Sequence, residues 1–62
     1  MEIRIHTTGN GKMQVKAIVE RFNGKLAKIS RGVVVSRINE DDARAFKFAL
    51  EAASGVSGYY EI

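Results

Sequence analysis

The sequence predicts a small α+β domain of βββα order, with a C-terminal segment that would make it βββαβ. Three observations carry this. Apolar residues alternate with polar ones near the N-terminus, at Ile3 and Ile5, the period-2 pattern of a half-buried strand. Asn23-Gly24 separates two segments rich in strand formers, and that dipeptide suits a type I′ hairpin turn. Phe46, Ala49, Leu50 and Ala53 fall at i, i+3, i+4 and i+7, which is one face of a helix.

Each element follows in order. The first strand covers residues 2–6 and ends at Thr7-Thr8-Gly9-Asn10-Gly11-Lys12, whose glycines and asparagine mark a turn. Residues 13–22 are expected to form the second strand, with Val15, Ala17 and Val19 on one face and Gln14, Lys16, Ile18 and Glu20 on the other. Residues 25–37 are expected to form the third, with Ala27, Ile29, Val33 and Val35 opposite Lys28, Ser30, Val34 and Ser36. Gly32 inside it marks a bulge or a close backbone approach. Asn39 is a good N-cap, and Glu40, Asp41 and Asp42 place negative charge where the helix dipole favours it. Glu40 and Arg44 form an i, i+4 pair, and Gly55 supplies the C-cap. Residues 56–62, with Tyr59, Tyr60 and Ile62, form either a fourth strand or an arm. The helix would bury Phe46 and Leu50 on one sheet face and leave the other uncovered.

All 62 residues fit one domain, with a core that is marginal at this size. With 45% hydrophobic and 27% charged residues the composition is that of a folded chain. There is no cysteine and one histidine, which excludes disulfides and makes a structural zinc site implausible. No apolar run approaches the ~20 residues that span a bilayer, and the N-terminus lacks a signal-peptide pattern, so a cytoplasmic protein is expected. Charge divides at one boundary. Residues 1–38 carry eight Lys and Arg against two carboxylates, a balance of +6; residues 39–62 carry two against five, a balance of −3.

No catalytic set emerges. His6 stands alone on the polar side of its strand, and no serine has the context of an activated nucleophile. Gly9-Asn10-Gly11-Lys12 lacks the full spacing of a phosphate loop and its Ser/Thr after the lysine, and here precedes a predicted strand. Asp41 and Asp42 are explained by the helix N-terminus, and as neighbours they point about 100° apart. A non-enzyme with no cofactor and no metal is expected.

Two family resemblances bear on function. Thr7-Thr8-Gly9 ending the first strand, and Asp42 ahead of Ala49-Leu50-Glu51-Ala52 on the helix, resemble the first half of the ribonuclease H fold. Thr8 stands in place of that family's first aspartate and Asp42 in place of its glutamate, so the likeness implies a degenerate, non-catalytic relative of the kind used as phage accessory or antitoxin-type scaffolds. A three-stranded sheet followed by one helix is also similar to the arm-binding domains of phage-type integrases, which implies DNA contact through the sheet.

The basic residues Arg4, Lys12, Lys16, Lys25 and Lys28 are therefore the candidates for phosphate contact with nucleic acid or a nucleoprotein complex. The alternative partner is a protein, or a second copy of the chain in a homodimer. Ile18, Phe22 and Val34 on the uncovered face, with Tyr59 and Tyr60, would then form the interface of an inhibitor or antitoxin-like module, such as an anti-defence protein.

Overall fold

Seven elements follow one another in the computed structural model, which describes residues Met1–Ile62. They are β1 (Ile3–Thr7), α1 (Gly11–Arg21), β2 (Lys25–Ile29), β3 (Gly32–Ser36), a 3₁₀ turn (Glu40–Asp42), α2 (Ala43–Ala52) and β4 (Val56–Glu61). The α+β class, the antiparallel sheet, the helix after Asn39 and the C-terminal strand agree with the sequence.

Residues 13–22 do not. Residues 13–21 belong to helix α1, with Phe22 as its C-cap, and not to a strand. Val15 and Val19 fit a period of 2, but Val15, Ile18, Val19 and Phe22 also fit i, i+3, i+4 and i+7, and this second pattern decides the structure. As a helix the segment buries Ile18, whereas Ala17 stays exposed. Asn23-Gly24 ends α1 instead of turning a hairpin. Asn23 adopts φ +57°, its N–H bonds the Glu20 carbonyl, and the Gly24 N–H bonds the Val19 carbonyl. That is a Schellman cap, which asks for the same left-handed residue as a type I′ turn.

Residues 25–37 are likewise two strands. Ser30 and Arg31 form the turn, and Ile29 pairs with Gly32. Reversal across this two-residue loop inverts the facing: Val33 and Val35 point to the helices, whereas Ala27 and Ile29 share the other face with Val34. Gly32 is a close backbone approach, as a side chain there would overlap the Ile5 carbonyl oxygen of β1.

Sheet order is β2-β3-β1-β4, with all neighbours antiparallel. Two split β-α-β units interleave, giving the ferredoxin-like arrangement. Both helices cover one face. Ile3, Ile5, Val33 and Val35 of the sheet meet Val15, Ile18 and Val19 of α1, Phe46 and Leu50 of α2, and Ile38 in one core. The rings of Phe22 and Phe46 pack edge to face at 5.5 Å. The Asn39 side chain caps the 3₁₀ turn by accepting from the Asp41 N–H at 2.9 Å. The helix ends before Gly55, whose φ of +82° serves a contact with α1 rather than a C-cap. Gly11 and Gly55 touch backbone to backbone, and the Thr8 N–H bonds the Gly55 carbonyl at 2.8 Å. No helix is long and apolar enough to cross a membrane.

Candidate binding face

Strand pairing lays out the uncovered face as transverse rows. One row runs Ala27, Val34, Arg4 and Tyr60 across all four strands; the next runs Ile29, Gly32, His6 and Gly58. A third is flanked by Lys25 and Ser36. Because Ile3 and Ile5 face the core, the alternate residues Arg4 and His6 must face outward on the central strand. Two glycines flank His6, one on each neighbouring strand, so its ring stands over bare backbone. Tyr60 leans toward it with ring centroids 6.1 Å apart and planes 34° from parallel. Half of Tyr60 is exposed.

Arg4 is the unusual group. It is half-buried between Val34 and Tyr60, its Nε is enclosed without a hydrogen-bond partner, and it forms no ion pair. An unpaired buried donor costs about 1–3 kcal/mol. A planar cation beside two aromatic rings suits a planar, polar ligand, through stacking and hydrogen bonds from one side chain.

The other predicted residues divide among three places. Of the basic set, Arg4 and Lys25 lie on the open face. Lys12, Lys16 and Lys28 cluster at the rim where α1 overhangs the β2 edge, around Met13 and Leu26. The Lys12 ammonium donates to the Ile29 carbonyl at 3.3 Å. Val34 and Tyr60 belong to the open face. Ile18 and Phe22 do not, which corrects their placement: both sit on α1, where Ile18 is buried and Phe22 half-buried beside α2. Tyr59 faces the helices, because it pairs with Ile5. Its hydroxyl donates to the Glu51 carboxylate at 2.9 Å, and that bond raises the Tyr59 pKa above its ordinary 10.0.

The strand order turns the charge split of the sequence into a spatial one. Lys12, Lys16, Lys25 and Lys28 gather at the α1/β2 end, while Glu40, Asp41, Asp42, Glu51 and Glu61 gather at the α2/β4 end. Lys47 and Glu61 form the one ion pair, joining α2 to β4 and holding Glu61 below its ordinary pKa. The anticipated Glu40–Arg44 pair is not made.

Gly9-Asn10-Gly11-Lys12 does lead into a helix, contrary to expectation. Its features have local causes: Gly11 packs on Gly55, and Lys12 folds back onto β2. Thr8 and Asp42, the residues behind the ribonuclease H likeness, lie after β1 and at the end of the 3₁₀ turn. No three His, Cys, Asp or Glu side chains are grouped to hold a metal ion.

The pairing of Arg4, His6 and Tyr60 was not visible in the sequence. Arg4 and His6 were recognisable as one parity of β1, but the position of Tyr60 depends on β4 joining β1. No protein-family model matches the chain, and neither does any curated protein or solved structure.

Proposed function

We propose that the chain is a non-catalytic, intracellular binding module that takes single-stranded nucleic acid on its open sheet face. Arg4 carries this reading: a half-buried cation without a partner, placed in one row with Val34 and Tyr60 and next to His6. Bases would stack on Tyr60 and His6, and Arg4 would donate to a base edge or a phosphate. Open four-stranded sheets elsewhere stack bases in this way, an analogy of architecture and not of descent. The strand's phosphates would run toward the basic β2 rim, where Lys25, Lys28, Lys12 and Lys16 supply sequence-independent attraction. The acidic α2/β4 end would repel phosphate and so set the direction of approach.

Binding of labelled single-stranded RNA and DNA of about 10 nucleotides, measured by anisotropy near 50 mM salt, tests this. Affinity is expected to fall with a log-log salt slope of about −0.7 for each neutralised phosphate. Replacing Tyr60 with Ala should weaken binding about tenfold, in line with the stacking contribution of one base. The chain has two tyrosines and no tryptophan, so quenching of tyrosine emission on binding reports the same contact. Absence of binding at low salt, or equal affinity of wild type and both Tyr60→Ala and Arg4→Ala, overturns the proposal.

A protein-directed role, as an inhibitor or antitoxin-like module, finds its support on the opposite side of the molecule. There Phe48 projects from α2 with 74% of its surface exposed.

A further inference from the structure

Helix α2 has more apolar surface than the core uses. Phe46 and Leu50 are buried, and Ala49 and Ala53 pack against the core. A second set, Ala45, Phe48, Ala49 and Ala52, repeats the i, i+3, i+4, i+7 spacing on the adjoining face. Together they span about 200° of the helix, twice the roughly 100° stripe that one core requires. The second set borders a groove between the helices, with Ile18 and Phe22 on its α1 side. Ala45, Phe48 and Ala52 are exposed.

Charge at the margin of this face is self-complementary. Arg44 and Glu51 lie seven residues, or two turns, apart, and both border Phe48 on the flank away from α1. Phe48 sits beside their midpoint. When two helices pack antiparallel about a two-fold axis, like flanks meet. With the axis beside Phe48, Arg44 of each chain therefore faces Glu51 of the other, twice, and the Phe48 rings meet at the centre. Arg44 has no ion-pair partner within its own chain. Glu51 receives the Tyr59 hydroxyl on Oε2, which leaves its other oxygen available.

We infer that this face binds a second copy of the chain, forming an isologous dimer through antiparallel α2 helices centred on Phe48. Closed two-fold association of this kind needs one patch complementary to itself, and the order Arg44, Phe48, Glu51 provides that. A foreign partner would not require this internal symmetry. The small alanines allow close helix approach, and the paired phenylalanines supply an aromatic contact at the desolvated centre. The inference is independent of the nucleic-acid proposal, since the open sheet face lies on the other side of the sheet and stays free in the dimer.

Sedimentation velocity across a concentration series tests it. Wild type should move from 6.8 kDa toward twice that mass as concentration rises. Phe48→Asp should remain monomeric, with circular dichroism unchanged. Arg44→Glu and Glu51→Arg should each weaken association by about tenfold through like-charge contact. The double variant carrying both exchanges should restore it. Wild type that stays monomeric up to about 1 mM overturns the inference. Dimerisation that survives Phe48→Asp also overturns it, as does a double variant no stronger than the single exchanges.

Discussion

The two faces of the sheet are built from the same strands by opposite rules. On the covered face Ile3, Ile5, Val33 and Val35 are fully buried against two helices. One residue further along each central strand, the open face presents Arg4, His6 and Val34, with Tyr60 beside them. On these two central strands the covered face is uniformly apolar, and folding accounts for it. The open face mixes a cation, an imidazole, a phenol and bare glycine backbone, and folding alone does not call for that mixture. Stability is therefore concentrated on one face and candidate binding chemistry on the other.

Substitutions can break this division. The largest effect is expected at Phe46, which is fully buried and meets Phe22 edge on. Phe46→Ala should cost about 3–5 kcal/mol, a large share of the stability of a domain this small, and denaturant titration reads it directly. Gly11→Val drives a side chain into the Gly55 backbone and should cost at least the ~1–3 kcal/mol of an overpacked core. Asn39→Ala removes the cap on the 3₁₀ turn, and a loss of about 1 kcal/mol is expected. Tyr60→Ala, on the open face, should change stability by no more than about 0.5 kcal/mol while weakening nucleic-acid binding about tenfold. A large stability loss there would make Tyr60 part of the fold and erase the contrast between the faces.

The smallest effect is a titration. The bond to Glu51 raises the Tyr59 pKa in the folded state, so its contribution is present below 10.0 and is lost as pH rises through the raised value. Glu51→Gln should lower the pKa of one of the two tyrosines, followed by absorbance of the phenolate. No change in either would place the Tyr59 hydroxyl in solvent.

Legibility in the sequence followed the number of structures that each pattern could satisfy. Phe46, Ala49, Leu50 and Ala53 fit a helix and nothing else, and α2 was readable, although the Asn39 cap serves the 3₁₀ turn ahead of it. Val15 and Val19 fit both periods, because residues four apart share a face in a strand and in a helix, whereas Ile18 joins them only in the helix. Asn23-Gly24 was ambiguous for a related reason: the left-handed backbone it favours ends helices and turns hairpins alike. Ser30-Arg31 carries no glycine, asparagine or proline, so the real hairpin gave no turn signal and its two strands merged into one. Of the candidate site, Arg4 and Val34 lie on the open face as expected, both half-buried, whereas Ile18 moved to the core with its helix.

By itself the sequence determined the α+β class, the parity of β1, the second helix and the unequal charge of the two halves. These are local properties, set by periods of two and 3.6 and by capping chemistry within a few residues. Only the tertiary structure decided that residues 13–22 are helical, that β4 joins β1, and that the charge halves become opposite ends of one sheet. Each of these depends on which apolar surfaces meet across the chain. Burying Ile18 with Phe46, and pairing Tyr60 with Arg4, are contacts between residues that no local pattern connects.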